Sequence, residues 1–283
     1  MTGGPVARDP RAAFGAGVLL LAALAAIGAP WLAGDPGMPA DIVAGRFLPP
    51  LATGPDGVFH LIGTDRFGRD VWARLLHGAR VSLAVGVLAV ALSALVGTAI
   101  GAVAGYWRGW PRVTLLGLTD FVLALPRVVL LLLLASLWRP SAGLVVVVLG
   151  LTGWMTIARL VHGEVRALAV RPFVESAVGL GASGARVLLR HLLPNALTPV
   201  IVASALGLGN AIMLEAGLSF LGVGVQPPTP SWGNLLASGR DTLVNAPWVA
   251  SAPGIALVLV VVAATLLGDA VRDRLDPNRS PTA

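Results

Sequence analysis

The 283-residue chain contains no cysteine and no lysine, and only 12% of its residues are charged. Without cysteine there are no disulfides, no thiolate nucleophiles and no Cys-based zinc or iron–sulfur sites. Without lysine there is no Walker A phosphate loop, which ends on a phosphate-reaching Lys, and no lysine Schiff base. Soluble domains carry about 25% charged residues. With half that share and 56% apolar residues, at a mean hydropathy of +0.83, the chain lacks the polar surface a soluble body needs. All 20 basic residues are Arg and the formal charge is +6. Nucleic-acid binders gather such charge on a polar face. Here the arginines fall between long apolar runs, which excludes nucleic acid and makes the lipid bilayer the partner.

A bilayer core about 30 Å thick takes roughly 20 helical residues to cross. Uncharged stretches of that order run from Ala12 to Gly34, Val81 to Trp107, Pro140 to Ala158, Leu192 to Leu214 and Thr242 to Gly268. A sixth, Val113 to Trp138, carries Asp120 and Arg127, and the Leu192 run continues past Glu215 to about Gly222 before Gln226-Pro227-Pro228 breaks it. The expectation is an all-α, polytopic membrane protein with about six spans. Nothing in the sequence has the short alternating segments of an outer-membrane barrel. The first span is read as an uncleaved anchor, because its apolar run exceeds a signal core and shows no separable cleavage site.

Orientation follows from arginine. Twelve arginines, including Arg8, Arg11, Arg108, Arg159, Arg186 and Arg279, fall on the side shared by both termini, and seven fall on the other. Five of those seven lie in one connection, Asp35 to Arg80, of about 46 residues with five Asp, and long loops weigh little in this rule. Both termini are expected in the cytoplasm. The chain divides into an anchor with an external loop, 1–80, and a five-span core, 81–283.

Two connections exceed simple turns. In the external one, Gly63 to Trp72 packs opposite charges closely and reads as a folded, salt-bridged surface loop. The internal one, about 159–195, holds five Arg, two Glu and two His. Pro172 suits the first turn of a helix, Gly179, Gly181 and Gly184 suit its end and a tight reversal, and Pro194 restarts structure before the fifth span. The expectation is two short cytoplasmic helices with a glycine corner, built to dock a partner, since a plain connector rarely needs such length. Trp31, Tyr106, Trp107, Trp110, Trp138, Trp232 and Trp248 fall near span ends, as interface anchors do. Gly86, Gly97, Gly101 and Gly105 leave the second span a smooth face for close packing.

Within the internal connection, Glu175-Ser176-Ala177, then Gly181, then Leu193-Pro194, resembles the "EAA" signature of permease subunits of binding-protein-dependent ABC importers, with Ser176 in place of Ala and His191 in place of an aliphatic residue. His60-Leu61-Ile62-Gly63-Thr64-Asp65, Gly68-Arg69-Asp70 and Gly78-Ala79-Arg80 look like the start of the permease core in the dipeptide/oligopeptide/nickel subfamily. So do Glu215, Leu218 to Gly222, Gly224 to Pro228 and Ser231-Trp232-Gly233 for its outer loop, and Leu267-Gly268-Asp269 with Leu275-Asp276-Pro277 for its C-terminal signature. The chain is similar to the C-type subunit of such a permease, and Arg127 departs from the pattern at a position usually small or polar. The resemblance implies a homologous B-type permease partner, two cytoplasmic ATPases that bind ATP and Mg, and an external solute-binding protein. It implies no cofactor on this chain. It also assigns coupling to the ATPases to Glu175, Ser176, Ala177, Gly181, Leu193 and Pro194, in a transporter of dipeptides or oligopeptides, with nickel or glutathione as alternative cargo.

Two rival classes find partial support in the residues. Gly181-Ala182-Ser183-Gly184-Ala185 reads like the serine motif of rhomboid intramembrane proteases, which need a buried Ser and a His base on another span. The four histidines, His60, His77, His162 and His191, fall in the expected loops, and their spacing shows no metal-binding pair. A stand-alone carrier would use ionisable groups at membrane depth. Asp120 and Arg127, seven apart, would share a helix face, and with Glu215 they are the candidates for a path lining or a structural pairing.

Overall fold

The computed structural model describes residues 9–37, 42–55 and 57–275. Asp276 and Pro277 of the C-terminal motif, and Arg8 and Arg279 of the charge argument, lie outside the described residues. The first helix, α1 (Pro10–Leu32), starts where the Asp9 carboxylate accepts the Arg11 N–H at 2.9 Å and Pro10 occupies the first turn. Its buried residues are small (Ala12, Gly15, Ala26 and Ala29), while Leu20, Leu21, Leu24 and Ile27 are exposed. That division suits a helix packed on one side and in lipid on the other.

A two-strand ribbon, β1 (Ala52–Thr53) and β2 (Phe59–His60), follows in the outer loop. The second helix, α2 (Val71–Tyr106), is 36 residues long, which at 1.5 Å per residue is about 54 Å. It therefore begins outside the hydrocarbon. The expected loop end at Arg80 moves back to Asp70, whose side chain accepts the Trp72 N–H at 2.9 Å and caps the helix. The charges at Arg74 and Arg80 concealed this extension from hydropathy.

Next come α3 (Trp110–Ala124) and α4 (Arg127–Ser136), two helices bent by 90° at Leu125–Pro126. Proline has no N–H to continue the ladder. Read as one broken span, the pair brings Asp120 of α3 to Arg159 near the end where α2 finishes, whereas Leu131 of α4 packs with Val85 and with Val145 at the start of α5. Five further helices are long and apolar enough to cross, so six crossings fit.

The fourth crossing, Ala142–Leu168, is 27 residues long and consists of α5 (Ala142–Leu151) and α6 (Trp154–Leu168), parted at Thr152-Gly153. Carbonyls freed inside a membrane need donors. Ser93 of α2 supplies a hydroxyl to Gly150 at 3.0 Å, and the Thr152 hydroxyl reaches Leu149, whose carbonyl the break leaves without a backbone donor, at 3.3 Å. The glycines of α2 make the approach of α6 possible. A Cβ on Gly97 would lie 2.6 Å from the Trp154 carbonyl oxygen, and one on Gly101 would overlap the carbonyl of Ala158. Gly86 faces Ile212 of another helix, so the smooth face serves two neighbours.

After α7 (Pro172–Gly179), the chain enters a helix that is continuous from Gly184 to Phe220 over 37 residues. Its parts are α8 (Gly184–Val187), a π turn over Leu188–Leu192, and α9 (Leu193–Phe220). Pro194 thus does not restart structure. The Leu193 N–H donates to the Leu188 carbonyl, and this widened turn accommodates a proline that a regular α turn would reject. His77, His162 and His191 accordingly stand on helices, not in loops. On the opposite face α10 (Trp232–Gly239), which sequence periodicity did not reveal, lies between α9 and α11 (Trp248–Leu275). Its Ser231 and Asn234 exchange capping bonds, a three-residue spacing that signals a helix start. Trp232 is 2% exposed and donates to the Leu75 carbonyl, and Trp248 donates to the Thr64 carbonyl, both at 3.1 Å. These two tryptophans are therefore structural ties, while Trp31, Trp110 and Trp138 remain exposed at helix ends.

Candidate functional site: the elbow and the polar residues of the spans

The elbow is built from α7 and its reversal into α8. Arg171 and Pro172 open α7, and Glu175 stands in its first turn, where a negative charge favours the exposed N–H groups. The Ser176 hydroxyl donates to the Pro172 carbonyl at 2.9 Å. At the other end the Ala182 N–H donates to Ala177 at 3.1 Å and the Gly181 N–H to Val178 at 2.9 Å. These two bonds form a Schellman stop, which requires Gly181 at φ +83°. A Cβ on Gly181 would meet nothing within 4 Å, so the demand for glycine is one of backbone conformation alone.

One residue of α7 is buried, Val174, within a cluster of Ala102, Ile157, Val161, Val165, Val187 and Leu192. The remaining elbow surface is open: Glu175 and Ser176 are exposed, with Phe173 at 44%, Val178 at 53% and Leu180 at 90%. Leu193 and Pro194 sit at the head of α9, one helical segment beyond the corner. Beside the elbow a cavity of about 860 Å³ is lined by Tyr106, Trp107, Arg108, Arg112, Arg166 and Val178, among others. The basic charge gathered at this end matches the arginine count of the sequence. Ser183 is exposed at the start of α8, outside the apolar bundle, and among the described residues it makes no hydrogen bond to a histidine. Nothing here supports a protease.

The three ionisable residues of the spans have separate environments. The right-angle bend at Pro126 overturns the shared helix face expected for Asp120 and Arg127. Asp120 pairs with Arg159 of α6, carboxylate to guanidinium at 2.7 and 3.1 Å, a structural pairing between spans. Arg159 itself lies on a helix and not in the connection. Glu215 is fully buried, accepts the Ser219 hydroxyl at 2.8 Å, and is flanked by Ser82 and Ser231. It knots α9, α2 and α10 together near the outer end. Arg127 lines a cavity of about 170 Å³ in the middle of the bundle. Among the described residues no group of three or more His, Cys, Asp or Glu is arranged to hold a metal ion.

Outside the bundle, the charged loop folds as a cap. Asp65 is 2% exposed, accepts the Phe67 and Arg69 N–H groups, and pairs with Arg69 at 2.7 Å and Arg74 at 3.8 Å. The ion pairs expected at a surface are thus largely interior. The Thr64 hydroxyl donates to Gly45 at 2.6 Å and accepts from Leu48 at 2.8 Å.

Residues 97–281 match the family described as "Binding-protein-dependent transport system inner membrane component". The chain is 38% identical over 218 residues to the dipeptide transport system permease protein DppC of Alkalihalophilus pseudofirmus, covering 77% of this chain and 72% of that one. It is 38% identical over 227 residues to the glutathione transport system permease protein GsiD of Pectobacterium atrosepticum, covering 80% and 75%. A solved structure of the MetNI methionine ABC transporter in an inward-facing conformation superposes with a TM-score of 0.58 at 19% identity, over 71% of this chain and 96% of that one. That likeness concerns the fold.

Proposed function

Because the chain belongs to the family of binding-protein-dependent transport system inner membrane components, we propose that it is the C-type permease subunit of an ATP-driven importer of dipeptides or oligopeptides. The dipeptide permease relative supports that cargo. In this reading a homologous B-type permease completes the path, a solute-binding protein delivers cargo at the cap, and two ATPases hold ATP and Mg beneath the elbow. This chain supplies no catalytic group and binds no cofactor. The arginine distribution supports cytoplasmic termini, with the elbow on the same side. The anchor and outer loop end at Asp70, ten residues before the expected boundary at 80, and the transport core begins with α2 at Val71.

The observation that carries the proposal is the elbow: a short, exposed helix that is rigidly stopped and keyed to the bundle through Val174. A push on α7 passes through the Gly181 corner to a 37-residue helix and, through the same apolar cluster, to α2 and α6. Packed interiors move as discrete rearrangements and do not deform smoothly, so two arrangements of the spans can be biased by ATPase closure. Glu175, Ser176, Ala177, Gly181, Leu193 and Pro194 are the residues assigned to this coupling.

A second reading rests on the glutathione permease relative: the same architecture carrying glutathione, a small peptide with additional carboxylate charge. The test is ATP-driven uptake into proteoliposomes containing the complete transporter. Gly181→Asp and Glu175→Arg are expected to lower dipeptide uptake about tenfold, within the usual range of coupling free energies, while the complex still assembles. Wild-type uptake in both variants, or uptake that follows a proton gradient and ignores ATP, contradicts the proposal.

A further inference from the structure

At the bend of the third crossing stands an arginine without the kind of partner Asp120 has in Arg159; Glu215 accepts the Ser219 hydroxyl and leaves its Oε2 unpartnered. Arg127 has no ion pair among the described residues, and its buried Nε has no hydrogen-bond acceptor. It faces a cavity of about 170 Å³ lined by α2, α4, α5, α6 and α9. The polar groups sharing that lining are Ser93, Thr156, Ser204 and Asn210, and no Asp or Glu is among them. The lining residues lie near the middle of α2 and α9 and at the α5–α6 break, which falls near the middle of the Ala142–Leu168 crossing.

A cation at membrane depth without a counter-charge is costly, and a guanidinium presents a planar fork of donors matched to a carboxylate. The Ser93 hydroxyl is engaged with Gly150, and the Thr156 and Ser204 hydroxyls and the Asn210 amide add neutral hydrogen bonds to the same anion. Arg127 is also the first residue of α4, so the positive end of that helix dipole adds to the field. The volume suits the end of a small solute and not a whole oligopeptide.

We propose that this cavity is a carboxylate-binding subsite on the transport path, with Arg127 receiving the C-terminal carboxylate of the cargo peptide as it passes between the spans. The inference rests on the peptide-import reading above and adds what that reading leaves open: a selectivity element within this chain for free-acid over neutral C-termini.

The test uses the complete transporter in proteoliposomes and compares uptake of Ala-Ala with that of its C-terminal amide. The binding protein is common to all samples, so its own preference cancels when variants are compared. Arg127→Gln is expected to lower the acid-to-amide uptake ratio at least about tenfold, the scale of a lost charge-assisted hydrogen bond, and Arg127→Lys to restore part of it. An unchanged ratio in Arg127→Gln overturns the proposal. A second measurement stands apart from peptide transport. The chain has no cysteine, so Ser204→Cys gives one reporter in the cavity wall, and acetate should slow its labelling when Arg127 is present and not in Arg127→Gln. If the transporter moves neither peptide but acetate protects, the peptide-import reading fails and the subsite stands. Absence of Arg127-dependent protection overturns the subsite. Failure of both Arg127→Gln and Arg127→Lys to join the second permease also overturns it, since Arg127 would then serve assembly.

Discussion

At the cap, Thr64 binds Gly45 and Leu48 through its hydroxyl and takes the Trp248 indole on its carbonyl, and Asp65 closes on two backbone N–H groups and two arginines. At the elbow, eight-residue α7 enters the bundle through Val174 alone and leaves Phe173, Val178 and Leu180 exposed. Both segments stand outside the hydrocarbon on the same bundle. One is held by buried polar groups bonded to one another, and removing Thr64 or Asp65 leaves the partners' buried charges or dipoles unmet. The other is held by an apolar key and a backbone stop, with its chemistry facing outward. The contrast separates a lid that keeps its shape from a surface made to be covered by another protein.

The comparison makes graded predictions. Asp65→Ala strips Arg69 and Arg74 of their shared carboxylate and is expected to cost about 3–5 kcal/mol, the scale for breaking a buried pair from one side. Thermal unfolding of the purified complex and proteolysis of the outer loop read this directly, and a loss below 1 kcal/mol would show that the cap is not held by its charges. Val174→Ala removes two methyl groups from the cluster that holds α7, about 1.5 kcal/mol at 0.8 kcal/mol for each. It should loosen the elbow to hydrogen exchange while the cap keeps its protection. Leu180→Ser touches nothing within the chain that its 90% exposure leaves to break, so stability should change by less than about 0.5 kcal/mol while ATP-driven uptake falls. A stability loss comparable to that of Val174→Ala would mean that Leu180 is part of the fold.

The spans were legible because hydropathy over about 20 residues is a one-dimensional signal, and five helices appear close to where the apolar runs place them. The elbow was legible for a similar reason: Pro172, Gly179 and Gly181 encode the start and stop locally. What could not be read depended on partners distant in sequence. Arg74 and His77 look like loop residues until Asp65 and the cap are brought against the start of α2. Pro194 reads as a helix start unless the π turn before it is known. The separation of Asp120 from Arg127 comes from one proline, whose presence was visible but whose 90° consequence was not. Trp232 resembles an interface anchor until Leu75 accepts its N–H. The Ser231–Asn234 spacing was the available signal for α10.

The claim on which the account turns is that the elbow faces the ATPases and the cap faces the opposite side. A chain without cysteine permits single reporters at Leu180→Cys on the elbow and Val58→Cys on the cap, each in the assembled transporter in sealed cells. The account predicts that Leu180→Cys cross-links to an ATPase subunit and resists a membrane-impermeant thiol reagent, while Val58→Cys reacts with that reagent and cross-links to no ATPase. The reverse pattern, with Leu180→Cys labelled from outside and free of the ATPases, would contradict it.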